Sequence, residues 1–154
     1  MPTTARSRVL VLVLAVACAF GASTCGSGSP FETDPTRLTE GTWGGDDAGL
    51  VVGATQAHVH FGCTYGDFSA PIALDSDGRF SVSGGYLIRA YPVAVGPTMP
   101  AELAGVVRGR DLTMTVAVND TIENELVVFG PTTVRLGRDP QMQMCPICEP
   151  AEVP

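Results

Sequence analysis

From Gly41 onward, turn-forming residues interrupt the chain roughly every 8–12 positions, and no stretch between them carries an apolar stripe at helical spacing. Asp46-Asp47, Thr64-Tyr-Gly-Asp67, Asp75-Ser-Asp77-Gly78, Arg108-Gly-Arg-Asp111 and Asn119-Asp120 read as turns, because Asp, Asn and Gly tolerate the backbone angles a tight turn demands. The segments between them are short and strand-like: 50–54, 57–61, 72–74, 79–82, 86–91, 103–107, 112–118, 126–129 and 133–136. Leu112-Thr-Met-Thr-Val116 alternates most clearly. Val59 and Phe61 share one face of their segment, with His58 and His60 on the other. Gly84-Gly85 reads as a bulge or bend, the segment 92–100 with its three prolines as a loop, and Gly130-Pro131 as a break. The pattern predicts an all-β domain: an antiparallel meander of about eight strands, closed into a small β-barrel, with a β-sandwich as the alternative. Closure removes the exposed edges on which other chains could pair.

Ahead of this domain stands a different kind of segment. Arg6 and Arg8 precede Val9-Leu-Val-Leu-Val-Leu14 and an Ala-rich continuation. A short positive region followed by an apolar run too short to span a bilayer comfortably predicts a signal for export. The segment resembles a bacterial lipoprotein signal, in which a small residue precedes a Cys that becomes the lipidated N-terminus. Ala17-Cys18 offers such a pair; Ala22-Ser-Thr24-Cys25, followed by Gly-Ser-Gly-Ser29, offers a second. Cys18 is favoured, with Cys25 as the alternative. Ordinary cleavage near Ala17 without a lipid is a third outcome. The expected organisation is a signal peptide over 1–17, a flexible tether over 18–40, a barrel domain over 41–148 and a tail over 149–154. The expected location is the cell envelope, lipid-anchored to a membrane and facing the periplasm or exterior, with secretion as the alternative.

Lipidation at Cys18 leaves Cys25, Cys63, Cys145 and Cys148, an even number in an exported chain, and so two disulfides of open connectivity. Cys63 ends one predicted strand and Cys145 lies beyond the last, so a Cys63–Cys145 bridge would staple the two ends of the sheet; Cys25 and Cys148 are the remaining pair. Cys145-Pro-Ile-Cys148 also has the spacing of a redox pair. No helix follows to activate it, and Pro150 and Pro154 come next, so structural bridging is the expectation.

All nine basic residues are Arg, and seven of them lie beyond the leader against sixteen Asp and Glu. Such a domain lacks the basic footprint that phosphate backbones demand, which argues against nucleic acid. It permits a basic protein partner.

Gly41-x-Trp43-Gly44-Gly45, Phe61-x-Cys63-x-x-Gly66 and Leu74-Asp75-x-Asp77-Gly78-x-Phe80, in that order, resemble a large group of uncharacterised bacterial secreted and lipoprotein-type proteins. That resemblance carries no activity with it. Gly41-Thr-Trp43 is also similar to the Gly-x-Trp opening of lipocalin-like barrels, which implies a Trp plugging one barrel end beneath an Arg, here Arg135 or Arg138. Ser83-Gly-Gly-Tyr86 is similar to a loop of periplasmic lysozyme inhibitors, one residue short.

Few residues carry chemistry. His58 and His60 sit two apart on one strand face, a spacing that suits a metal, for which Asp67, Glu102 or Asp120 are the candidate third ligands. Asp75 and Asp77 lack the further ligands of a calcium loop. No catalytic set or phosphate loop is present, and no cofactor is expected. The sequence therefore predicts an envelope protein, not an enzyme, with a binding or structural role. Inhibition of a basic envelope enzyme such as lysozyme, metal binding through His58 and His60, and carriage of a small apolar ligand in a barrel lumen are the alternatives.

Overall fold

The structure, a computed structural model, describes residues 36–90 and 96–145. Eight strands follow in chain order: β1 (Gly41–Gly44), β2 (Ala48–Val52), β3 (Gln56–Phe61), β4 (Thr64–Ser69), β5 (Arg79–Leu87), β6 (Met99–Arg108), β7 (Asp111–Asp120) and β8 (Glu125–Leu136). Each pairs antiparallel with the next, and β1 returns to β8 through Trp43↔Leu136 and Gly44↔Arg135, which closes the barrel.

Alternation along each strand decides what faces inward. In β7 the residues Leu112, Met114, Val116 and Val118 are all buried, and the threonines between them point outward. Together with Trp43, Leu50, Val59, Leu103 and Leu136 they fill the interior as a packed core. Each such side chain contributes about 1.5–3 kcal/mol through burial. A carrier of the lipocalin kind needs a lumen, and these side chains occupy that space.

The strand count agrees with the sequence, but several boundaries do not. The segment 64–67, read as a turn, is the start of β4; the turn lies at Gly62-Cys63, where Gly62 takes a φ of 54° that disfavours a side chain. The segment 72–74, read as a strand of the sheet, lies outside the barrel wall. It pairs instead with the approach to β1: Leu38 N–H donates to Ile72 O and Leu74 N–H to Thr36 O. Gly84-Gly85 does not interrupt β5. Gly84 stands opposite Phe68 and Gly66 opposite Tyr86, and a Cβ on either glycine would lie 2.4 Å from the facing ring. These glycines seat aromatic rings across the β4–β5 hairpin. Gly130-Pro131 likewise does not end a strand. It sits at a bulge in β8 opposite the β7 segment between Met114 and Val116, where a residue without an N–H is tolerated.

Two segments outside the strands pack on the barrel. Residues 36–40, expected to belong to the flexible tether, are packed on the barrel: Leu38 is buried, and Thr39 O accepts from Trp43 Nε1–H at 3.0 Å. A lone apolar residue in a polar stretch finds its partner in Ile72 and the core. The rest of the tether and the leader, with Arg6, Cys18 and Cys25, lie outside the described residues, as do Cys148 and the tail. After β8, residues 137–145 form a strap over the β1–β2 side of the barrel. Asp46 and Gln141 form a bridge, and Cys145 bonds Cys63 with a Cα–Cα distance of 5.6 Å.

The expected arginine over Trp43 is not found. Arg135 Nη1 donates to Asp111 Oδ1 at 3.0 Å, and Arg138 Nη2 to Asp46 Oδ1 at 2.5 Å. Trp43 is covered instead by the segment 36–40 and by Leu136, and guanidinium groups with carboxylates in reach remain at the surface.

Candidate functional site

The β3–β4 hairpin brings His58, His60, Tyr65 and Asp67 together on its outer face. Ala57 and Val59 point into the core with no exposed surface, which sends His58 and His60 to the outer face. The register places Asp67 opposite His58 and Tyr65 opposite His60. His58 Nδ1 lies 2.7 Å from Asp67 Oδ1, and His58 Nε2 lies 2.9 Å from His60 Nε2. The two imidazole rings are 4.7 Å apart and inclined by 69°. Tyr65 packs against both, with ring centroids 5.7 Å from His58 and 5.4 Å from His60.

A carboxylate accepts, so His58 donates to Asp67 from Nδ1; in the tautomer with a single proton, there on Nδ1, its Nε2 keeps a lone pair that accepts from His60 Nε2–H. The pKa of His60 is lowered, first by burial and then by the neighbouring His58, with Asp67 acting in the opposite direction. On the far flank, the β2 residue opposite His60 is Gly49, which contributes no side chain; its Cβ position would be 2.5 Å from Cγ of Pro140 in the strap. The residue opposite His58 is the half-exposed Val51.

Of the three candidate third ligands, the hairpin brings Asp67 to the histidines, bonded to the outer nitrogen of His58 rather than facing the pair of Nε2 atoms. Glu102 is exposed on β6, which β4 and β5 separate from β3. Asp120 is buried and held by Arg89 Nη2 at 2.7 Å. Among the described residues no group of three or more His, Cys, Asp or Glu is placed to hold a metal ion. Tyr65 was hidden from sequence reasoning because its tetrapeptide has turn composition; the β3–β4 register is the signal that finds it.

The remaining motifs are structural. Ser83-Gly-Gly-Tyr86 lies inside β5 and Tyr86 is fully buried, so Tyr86 is not presented to a partner as an inhibitor loop would require. Cys145 is committed to Cys63, so the Cys-Pro-Ile-Cys spacing does not form a redox pair here. Asp75 Oδ1 accepts from the N–H groups of Asp77 and Arg79, 2.8 Å each, which spends that oxygen on the turn. Beside that turn lies a cleft of about 360 Å³ lined by Arg37, Thr39, Leu74, Asp77 and Arg108.

Comparison with protein-family models, with curated proteins and with solved structures finds no match. The class is therefore defined by the fold itself: a packed, closed, eight-stranded antiparallel barrel, stapled by a disulfide and carrying an imidazole pair on its outer wall.

Proposed function

We propose that the chain is an exported, lipid-anchored envelope protein whose barrel has a non-catalytic binding or structural role. The observation that carries this reading is the Cys63–Cys145 bridge. Disulfides persist in oxidising compartments and are rare in the cytosol, and small exported domains use them to supplement a limited core. The leader with Arg6, Arg8 and the apolar run that follows supports the same reading, and Cys18 is the proposed lipid attachment residue, with Cys25 as the alternative. One chain there would anchor only weakly, whereas the several acyl chains of a lipoprotein modification would hold the module at the membrane. The packed interior and the buried Tyr86 favour a role for the outer wall over a lumen or an inhibitor loop.

The intact mass of protein extracted from its native membranes, with and without reduction and alkylation, tests the proposal. The expected result is a mass beginning at Cys18 with acyl chains attached and with the Cys63 and Cys145 thiols appearing only after reduction. An unprocessed, unacylated chain recovered from the cytosol with both thiols free would refute it.

A further inference from the structure

We infer that His58 and His60 form a binding site for a divalent transition metal ion, and this holds whether or not the chain is exported. Metal-binding imidazole nitrogens stand about 2.0–2.1 Å from the ion. Two neighbouring ligands at that radius are separated by about 2.9–3.4 Å, depending on whether the shell is octahedral or tetrahedral. The Nε2 atoms of His58 and His60 are 2.9 Å apart, the spacing of two adjacent ligands on one ion.

A second observation points the same way. Asp67 Oδ1 accepts from His58 Nδ1 at 2.7 Å. A carboxylate behind the outer nitrogen is the arrangement that fixes a ligating histidine's tautomer, turns its ring and raises its basicity. It leaves the lone pair of His58 Nε2 directed at His60. When an ion takes the place of the proton shared between the Nε2 atoms, His60 carries its proton on Nδ1 and both Nε2 atoms become ligands.

The surroundings suit an open site. The side chains of His58 and Asp67 are 38% and 49% exposed, so an ion reaches the pair from solvent. Tyr65 walls one side, and the Pro140 ring of the strap, seated on Gly49, walls the other, so access is from the His58 and Asp67 side. With no third protein ligand placed among the described residues, the remaining positions fall to water or to a donor from a bound partner. Two imidazoles select Cu²⁺, Ni²⁺ or Zn²⁺ over Mg²⁺ and Ca²⁺, which prefer oxygen shells.

The test is a Zn²⁺ titration of the full ¹⁵N-labelled chain, with free thiols alkylated, followed through the imidazole nitrogens. The expected result is a saturable shift of both Nε2 signals at one equivalent, with His58 Nδ1 still protonated and with no response to Mg²⁺. His58→Ala and His60→Ala each weaken binding more than tenfold, and Asp67→Asn weakens it about 10–100-fold, the usual effect of removing an outer carboxylate. All three positions lie on the outer wall, so an unchanged circular dichroism spectrum establishes that the variants fold. Zn²⁺ uptake equal in the wild type and in the His58→Ala/His60→Ala double variant would overturn the inference, as would shifts confined to other nitrogens.

Discussion

The hydroxyl of Tyr86 lies 2.7 Å from Oγ1 of Thr64, and Thr64 in turn donates to Phe61 O at 2.8 Å. The Thr64 proton is thereby spent on the carbonyl, so Tyr86 is the donor in the first bond. Tyr86 is fully buried, between the Gly66 backbone and the ring of Phe129 at 5.1 Å.

Burial pushes the Tyr86 pKa up to about 12. The neutral phenol is thus favoured in the folded state. Its contribution to stability is complete below pH 10.0, the ordinary value, and is lost as pH rises from there through about 12. Two units correspond to about 2–3 kcal/mol. Denaturant unfolding between pH 9 and pH 12 is expected to show this decline in the wild type, and Tyr86→Phe is expected to flatten it while costing about 1 kcal/mol near neutrality through the lost hydrogen bond. An identical decline in the variant would assign the alkaline loss to another group.

The bridge between Cys63 and Cys145 closes a loop with a sequence separation of 82 residues. In the chain-entropy treatment a loop of that length is worth about 4–5 kcal/mol. Cys63→Ser and Cys145→Ser are each expected to lower stability by about 3–5 kcal/mol and the melting temperature by more than about 10 °C. Reductant is expected to bring the wild type to the same level while leaving the variants unmoved. A wild-type melting temperature indifferent to reductant would show that the strap is held without the bridge.

Asp120 joins two elements. Its Oδ2 accepts from Arg89, just past β5, and its Oδ1 accepts from the N–H groups of Ile122 and Glu123 in the turn before β8. The hydrogen bond from Arg89, with help from the turn amides, holds its pKa below the usual carboxylate value against the opposing effect of desolvation. A depressed carboxylate pKa contributes stability that is present above the ordinary Asp value and is lost as pH falls through the lower one. Asp120→Asn keeps the shape and removes the charge. The variant is expected to melt below the wild type at pH 7, and the gap is expected to close in acid, once pH has fallen through the lowered pKa. A gap of equal size at pH 7 and in acid would mean that the ion pair is not its source.

The fold class was legible because the turn signals and the alternation in β7 come from local chemistry. The strand boundaries were less so, and the count of eight came out through errors that offset one another. The segment 72–74 looks like a strand because Ile72 is buried, but its burial serves the contact with Leu38 at the barrel end. Gly84-Gly85 and Gly130-Pro131 look like breaks because composition does not reveal that Phe68 needs a glycine opposite it, or that β7 supplies a bulge. The histidine pair could be read from the i, i+2 spacing on one strand. Its partners could not: choosing Asp67 over Glu102 and Asp120 requires the β3–β4 register, and that register follows from the turn at Gly62 rather than from the residues of the site. The arginine expected over Trp43 failed for a similar reason, since Asp111 and Asp46 lie within reach of Arg135 and Arg138 only in the folded barrel.

The last prediction concerns how the strap is seated. A Cβ on Gly44 would stand 2.3 Å from Arg138 O and 2.4 Å from the carbonyl carbon of Asp139, both backbone atoms that cannot rotate away. At Gly49 the obstacle is the Pro140 ring, at 2.5 Å from Cγ. These two positions let the strap lie flat, so that Gln141 N–H donates to Gly45 O and Asp47 N–H donates to Gln141 O, each at 2.9 Å. Gly44→Ala is expected to lift the strap and to cost about 1–3 kcal/mol, the usual range for overpacking. Gly53→Ala, where the nearest atom is Gln56 O at 3.3 Å, is expected to cost less. Hydrogen exchange at the Gln141 and Asp47 amides separates the two cases: faster exchange in Gly44→Ala but not in Gly53→Ala places the strain at the strap. Equal protection in both variants would mean that the barrel wall, and not the strap, absorbs the added methyl group.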